Sequence, residues 1–255
     1  MDLVDALILG IIEGLTEFLP ISSTGHLILA GKLLGLKQTE FVKTFDIAIQ
    51  LGAILSVIVF ERKRLIKSTE IWKRIIIAFV PTGIVGFILY KIIKGVFLES
   101  YTIVVISLIA GGFILILADR YIRKEYTYSI ENIPLLRVFF IGLFQSIAVI
   151  PGVSRSGATI IGGLLMGLGR KESAEFSFML AVPTMFAATS YDILRTGADL
   201  SKDEWHLLFI GFFTAFVVAL LTMKIFLSYL NKHGFLLFGV YRILLGVIYY
   251  SVFIL

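Results

Sequence analysis

The sequence predicts an all-α polytopic membrane protein with six transmembrane helices, two re-entrant helix–loop–helix hairpins and an inverted-topology repeat. Of the 255 residues, 58% are hydrophobic and 16% are charged, and the mean hydropathy is +0.96. Soluble domains are usually about half apolar and about a quarter charged. Several apolar runs approach the roughly 20 residues that a spanning helix needs. A polar motif near the N-terminus also recurs in the middle of the chain.

The apolar runs predict six spans and their orientation. Basic residues cluster between these runs, chiefly at 62–64 and 73–74, and the positive-inside bias makes those loops cytoplasmic. The turn near Gly95 is then expected on the outer side. The six predicted spans are about 44–60, 75–93, 101–118, 173–193, 206–229 and 235–254.

The two motifs correspond at one constant offset. Ser22 matches Ser154 and Gly25 matches Gly157 at the same spacing. The simpler alternative is that two glycine-rich membrane helices resemble each other by composition alone. We interpret the correspondence as an internal repeat, with copies at about 1–125 and 135–255 inside a single membrane domain, 1–255.

Each motif interrupts a hydrophobic segment that is too broken to cross the membrane comfortably, at about 1–31 and 137–168. Non-helical backbone at membrane depth persists only where it is buried in protein or lines a wet cavity. We therefore expect each motif to form a re-entrant hairpin. One hairpin and three spans per copy put the second copy in the opposite orientation, with both loops near the midplane.

Two carboxylates mark the first motif. Glu13 and Glu17 are four residues apart, so they share one helix face. Adjacent carboxylates in a low-dielectric environment stay charged only beside a cation. The expected partner is a divalent metal ion or an arginine; a helix-end pair facing water is the alternative.

The second motif has the composition of an oxyanion site. Its hydroxyls come from Ser154, Ser156 and Thr159, and Gly157 permits close backbone approach. A helix N-terminus follows, which favours anions, and Arg155 carries a planar fork suited to phosphate. The pattern by itself does not separate phosphate from carboxylate, and an interfacial arginine with capping hydroxyls is the simpler interpretation.

The equivalent loop of the first motif combines Ser22 and Ser23 with His26. A hydroxyl near an imidazole offers a nucleophile and a base, or a means of activating water. On the following span, Asp46 and Gln50 lie one turn apart. They are candidates to support the site, either by orienting charged groups or as metal ligands, and equally to join helices by hydrogen bonds.

The segments from Glu13 to His26 and from Pro151 to Thr159 resemble the two signatures of the undecaprenyl-diphosphate phosphatase family of the bacitracin-resistance type. The resemblance implies hydrolysis of a polyprenyl diphosphate to the monophosphate and inorganic phosphate, which recycles the lipid carrier for cell-wall polymers. It also implies a divalent cation, Mg²⁺ or Ca²⁺, and a site that opens to the extracytoplasmic side of the inner (cytoplasmic) membrane.

The family roles transfer to matching positions of this chain. The nucleophile stays open between Ser23, with His26 as its base, and a water molecule positioned by His26. Asp46 departs from the family, which usually has Glu there, and the shorter side chain draws its carboxylate back by one methylene group. The implied metal ligands are Glu13 and Glu17, the catalytic residues are Glu17, Ser23, His26 and Arg155, and the substrate-binding residues are Ser22, Ser154, Arg155, Ser156, Gly157 and Thr159.

A transporter or lipid-phosphate flippase is the main rival, because inverted repeats with broken helices are a transporter architecture. A purely structural subunit would not explain so many polar residues in two loops. The expected partners are the polyprenyl diphosphate and membrane lipids. The formal charge of +5 lies mainly between spans and does not indicate nucleic acid. The sequence leaves the oligomeric state open, and a homodimer is one expectation.

Overall fold

A computed structural model describes residues 1–37, 39–92, 101–121, 128–196 and 201–254. The regular elements in these ranges are helical, as expected, and the predicted turn near Gly95 lies outside them. The α-helices are α1 (Leu3–Thr16), α2 (Ser23–Leu33), α3 (Glu40–Phe60), α4 (Arg62–Lys67), α5 (Thr69–Ile92), α6 (Tyr101–Tyr121), α7 (Leu135–Ser146), α8 (Arg155–Leu165), α9 (Arg170–Thr196), α10 (Lys202–Leu230) and α11 (Leu236–Phe253).

Within the described ranges, five helices are long and apolar enough to cross a membrane: α3, α5, α6, α10 and α11. They confirm five of the predicted spans and a multi-pass membrane protein. Helix α9 covers the predicted span at 173–193 but is less apolar, since it begins with several charged residues. The count of six spans therefore stays a prediction.

The two motif regions form short helices separated by irregular backbone. Helices α1 and α7 have 14 and 12 residues, and α2 and α8 have 11 each, fewer than a span needs. Gly35 follows α2 with φ +69°, and Gly167 follows α8 with φ +97°. A glycine with left-handed backbone after a helix lets the next N–H groups bond to the last free carbonyls, which ends the helix. The two glycines are separated by the same spacing as Ser22 and Ser154.

Helices from the two halves of the chain pack against each other. Helix α1 packs on α10, α7 packs on α5, and α6 lies along α11. Small residues permit the close approach: a Cβ at Gly10 would lie 2.7 Å from the carbonyl oxygen of Gly211 in α10, and one at Gly142 would overlap the carbonyl of Ala78 in α5. These contacts hold the short helices of each half against a long helix of the other.

Replacing Gly142 by Ala should therefore separate α7 from α5. We expect the Gly142→Ala variant to lose about 1–3 kcal/mol of stability, the usual cost of overpacking. Gly86→Ala is the matched control, because nothing lies within 4 Å of a Cβ there and Ala favours helix. Thermal unfolding in detergent measures both. An equal midpoint for the two variants would contradict the packing.

Candidate functional site

The two loops between the short helices contact each other directly. The Ser156 hydroxyl donates a 2.7 Å hydrogen bond to the carbonyl of Phe18, and the Ser154 hydroxyl lies 3.5 Å from the carbonyl of Leu19. Backbone carbonyls freed by a broken helix must find donors inside the protein at membrane depth. The second loop supplies these donors to the first, so the loops form one unit.

Glu17 occupies the centre of this unit. Its Oε1 accepts a 2.7 Å hydrogen bond from Arg155 Nη2, and its Oε2 accepts a 2.5 Å bond from the Ser23 hydroxyl. The Glu17 and Arg155 side chains are only 5% and 12% exposed. Ser23 and Arg155 are equivalent positions in the two motifs, so one carboxylate joins both loops. Of the two partners expected for the paired glutamates, the structure shows the arginine.

Arg155 keeps unused capacity for hydrogen bonding. Its Nη1 donates to the carbonyl of Ser177 in α9 at 2.8 Å, while its Nε has no hydrogen-bond partner among the described residues. Its guanidinium also lies 5.9 Å from the centre of the Phe18 ring. Arg155 is therefore held in place on one side and retains a free donor, which suits a group that binds an anion.

Glu13 and Gln145 are equivalent positions with opposite environments. Gln145 Nε2 donates to the Thr82 and Thr184 hydroxyls at 3.0 Å each, and its Oε1 accepts from Thr159 at 3.2 Å. Glu13 is fully buried, and neither of its oxygens has a partner among the described residues. An unpaired buried carboxylate is costly, so Glu13 needs a cation or a proton that the described side chains do not supply.

Glu13 and Glu17 are the described residues that could hold a divalent cation. The described residues contain no cluster of three or more His, Asp or Glu side chains able to hold a metal by themselves. Mg²⁺, however, commonly binds one or two carboxylates and takes its other ligands from phosphates and water. The unpartnered oxygens of Glu13, one helical turn from Glu17, fit that pattern.

The predicted support residues contribute less directly. Asp46 lies close enough to Glu13 to act on it through charge. Neither the Asp46 nor the Gln50 side chain has a hydrogen bond to another described side chain. The structure thus brings Asp46 within electrostatic range of Glu13, and among the described residues it shows no hydrogen bond from Gln50 to the charged groups of the loops.

Both nitrogens of His26 are occupied. A carbonyl oxygen can only accept, so His26 Nδ1–H donates to the Ser22 carbonyl at 2.7 Å, and Nε2 of the neutral ring accepts from the Tyr241 hydroxyl at 2.7 Å. Ser22 has a left-handed φ of 72°. Ser23 bonds Glu17 and not His26, so the predicted pairing of Ser23 with His26 is not formed in this arrangement, and the role of His26 as a base stays a prediction.

The hydroxyls of the second motif hold its own loop. Ser154 caps α8 by accepting a 3.0 Å hydrogen bond from the Gly157 N–H, as an N-cap residue does. The Thr159 hydroxyl lies 2.9 Å from the carbonyl of Arg155. These groups and Ser156 all bond to protein atoms. Their predicted contacts with substrate, like that of Ser22, therefore remain predictions.

A second polar cluster lies at the C-terminal end of α3, away from the loops. Glu61, Arg64, Lys171 and Glu175 line a cavity of about 470 Å³ there, together with Lys224. Burial raises the pKa of Glu61 to about 7. Arg64 pairs with Glu175 at 2.6 Å. Because the carboxylates of this cluster have basic neighbours, it lacks the unpaired groups that mark the loop site.

Two residues of α11 that contact the motif residues were not predicted. Tyr241 binds His26, and Arg242 donates to carbonyls of both loops and of α6. The run at 235–254 was interpreted as a plain span. An arginine inside an apolar run is a functional signal, and applying that rule to Arg242 would have identified it.

The fold and the site define a multi-pass membrane protein with a buried charged centre between two broken helix pairs, suited to an anion. The model of the bacitracin resistance protein BacA family matches residues 6–248. An undecaprenyl-diphosphatase of Aquifex aeolicus is 58% identical, over 98% of each chain. One of Thermus thermophilus is 49% identical, over 96% of this chain and 95% of its own. The chain belongs to the BacA family.

The contrast between Glu13 and Gln145 predicts opposite effects of exchanging their side chains. Glu13→Gln removes an unpaired buried carboxylate, so we expect an unchanged or higher unfolding midpoint. Gln145→Glu removes both amide donors to Thr82 and Thr184 and should cost about 1–3 kcal/mol. Thermal unfolding in detergent without added metal tests the pair. Stabilisation by Gln145→Glu, or a large loss from Glu13→Gln, would contradict this account.

Proposed function

We propose that this chain hydrolyses undecaprenyl diphosphate to undecaprenyl phosphate and inorganic phosphate, and so recycles the lipid carrier for cell-wall polymers and confers bacitracin resistance. Relatives that match this chain over nearly their full length are named undecaprenyl-diphosphatase. The observation that carries the proposal is the buried Arg155, held between the loops by Glu17 at 2.7 Å. A guanidinium at this place can bind the terminal phosphate.

Substrate binding exchanges one anion for another at Arg155. The diphosphate enters at the loops while its isoprenoid tail lies among the helices in lipid. A phosphate oxygen can take the free Nε donor and then displace Glu17 from Nη2, because a phosphate accepts two parallel hydrogen bonds from a guanidinium. Phosphoryl transfer relies mostly on such positioning and charge stabilisation. The displaced Glu17 carboxylate becomes free to act as a base or ligand.

Hydrolysis forms one P–O bond and breaks another. An oxygen nucleophile attacks the terminal phosphorus, the bridging P–O bond breaks, and its electrons leave with undecaprenyl phosphate. If Ser23 attacks, its proton passes to Glu17, with which it already shares a 2.5 Å hydrogen bond, and water then cleaves the phosphoserine. If water attacks, His26 Nε2 is the candidate to accept the proton once the Tyr241 hydroxyl has left it, and the Ser22 carbonyl holds the ring in place through Nδ1.

We expect a divalent cation, Mg²⁺ or Ca²⁺, held by Glu13 and Glu17. When bound, it would neutralise charge on the diphosphate. The partnerless oxygens of Glu13 support this assignment, because they are the buried ligands that the protein leaves open. Asp46 adds negative charge nearby and need not be a direct ligand.

The proposed architecture is an inverted repeat with two re-entrant hairpins and six spans, α9 being the sixth. Helix bounds support it: α2 and α8 have equal lengths and begin at equivalent positions. The packing also supports it, because α1 rests on α10 as α7 rests on α5. These two contacts exchange when the two halves of the chain are exchanged, as expected for two copies related by a pseudo-twofold axis.

We place the protein in the inner membrane with its site open to the extracytoplasmic side, and a homodimer remains an expectation. The basic residues at 62–64 in α4 and at 73–74 near the start of α5 support a cytoplasmic end opposite that opening. A flippase built on the same repeat was the alternative, and the names of the relatives favour the hydrolase. The two differ in one respect: a hydrolase releases phosphate in detergent micelles, where there are no two sides.

Arg155→Ala should lower kcat for phosphate release from undecaprenyl diphosphate by about 100-fold or more, as loss of a preorganised charge does. Arg155→Lys should recover little, because Lys lacks the planar fork. Lys63→Ala, which changes an exposed residue of α4 outside both motifs, is the control. Assays use protein purified in detergent. Near-full turnover by well-folded Arg155→Ala would exclude the proposed role of Arg155.

The nucleophile can be identified by trapping. If Ser23 attacks, substrate labelled in its terminal phosphate will label the acid-quenched protein, and Ser23→Ala will abolish both labelling and turnover. If water attacks, no label is found, and His26→Ala is the more damaging variant, by about 100-fold or more. Rapid quenching within one turnover is the measurement. Labelling that persists in Ser23→Ala would contradict both routes.

Chelation tests the metal assignment. We expect EDTA to abolish phosphate release and added Mg²⁺ or Ca²⁺ to restore it, because the carboxylate pair alone adds negative charge beside an anionic substrate. Glu13→Gln should need a higher cation concentration for half-maximal activity. Turnover that is unaffected by EDTA after exhaustive dialysis would contradict a metal held by Glu13 and Glu17.

A further inference from the structure

We infer that Arg242 is a positioning residue that sets the distance between the two loops, and through it the geometry of the Glu17–Arg155 pair. The role rests on the proposed function only for its catalytic consequence. The contacts themselves are independent of any substrate. Arg242 lies in α11, outside both motifs, and is 2% exposed.

The guanidinium of Arg242 bonds to backbone carbonyls of three segments. Its Nη1 donates to Pro20 in the first loop at 3.2 Å, and its Nη2 donates to Gly152 in the second loop at 2.9 Å. Further bonds run to Ser107 at 2.9 Å and Leu108 at 3.4 Å, both in α6. One rigid, planar group thus fastens both loops to the pair of helices α6 and α11.

The two loop carbonyls are equivalent positions. Pro20 and Gly152 are separated by the same spacing as Ser22 and Ser154. A single guanidinium that bonds to both therefore lies between the two copies. Only one copy can supply a side chain at such a place. In α6, the matching helix of the first copy, Gly111 faces the guanidinium, and a Cβ at Gly111 would overlap it. The departure from repeat symmetry thus has a steric reason.

The contacts leave Arg242 little capacity to bind phosphate directly. Carbonyls take four of the five N–H donors of its guanidinium, so the planar fork that would hold a phosphate is already used. Glu17 lies shortly before Pro20, and Arg155 lies shortly after Gly152. A shift of either carbonyl therefore moves one member of the ion pair relative to the other. Misplacement by about 1 Å can cost about 100-fold in rate.

The test compares Arg242→Lys with Gly111→Ala. The first keeps the charge but loses the fork, and the second keeps Arg242 but pushes its guanidinium away. We expect both to lower kcat by about 10- to 100-fold with KM changed less than about threefold, since positioning acts on the transition state. Gly86→Ala, with nothing near its Cβ, should keep kcat and KM. A selective rise in KM, or unchanged kcat in both folded variants, would overturn the inference.

A second readout needs no activity. The chain contains no cysteine, so cysteines placed at Leu19 and Val153 carry one spin label on each loop. We expect the dipolar coupling to give a narrow distribution of distances between the labels in the parent and a broader distribution in both Arg242→Lys and Gly111→Ala. An unchanged distribution in both variants would overturn the positioning role. If the parent releases no phosphate and the broadening still occurs, the proposed function fails while the positioning role stands.

Discussion

The ion pair between Glu17 and Arg155 connects the two halves of the site. A buried ion pair recovers the cost of removing two charges from water only when further hydrogen bonds satisfy both groups. Here the Ser23 hydroxyl takes the second carboxylate oxygen, and the Ser177 carbonyl accepts from the guanidinium. These partners come from the first loop and from α9. The pair therefore depends on the placement of several elements at once, and it fails if one of them moves.

Broken backbone in the membrane imposes the second constraint. Each loop frees carbonyls that water cannot reach, and the donors come from the opposite loop or from α11. The Ser156 hydroxyl donates to the Phe18 carbonyl, while the Arg242 guanidinium donates to the carbonyls of both Pro20 and Gly152. The same contacts that satisfy the backbone bring Glu17 to Arg155. The hydrogen bonds that stabilise the broken backbone therefore also assemble the charged centre.

The sequence predicted the local features well, because their causes are local. The places of five spans followed from apolar length, although α3, α5 and α10 begin four to six residues earlier than predicted. The broken segments followed from Pro, Gly and polar residues. The glutamate pair was expected to need a cation because two carboxylates four residues apart lie on one helix face and repel each other. The partners across the molecule were not predictable in this way. Ser23 was expected beside His26 but bonds Glu17, since the approach of Arg155 from the other copy decides where Glu17 points.

The two motifs differ in chemistry at the candidate site. Equivalent positions hold Gln145, whose amide is fully hydrogen-bonded, and Glu13, which has no partner among the described residues. Where α11 supplies Arg242, the residue of α6 that faces its guanidinium is Gly111. A repeat places matching groups around an axis, but chemistry on one diphosphate needs different groups on its two sides. Glu13 and Gln145 have the same spacing as the matched serines and glycines of the two motifs. The meaning of this match required the environment of each, which only tertiary contacts with Thr82 and Thr184 supply.

The most direct test of the central claim is the structure of the protein with a non-hydrolysable undecaprenyl methylenediphosphonate and Mg²⁺. The account predicts that the terminal phosphonate bonds to Arg155, that Glu17 has left the guanidinium, and that the tail lies among the helices. A headgroup bound elsewhere, with the Glu17–Arg155 pair intact, would contradict the claim that the two loops form the phosphate site.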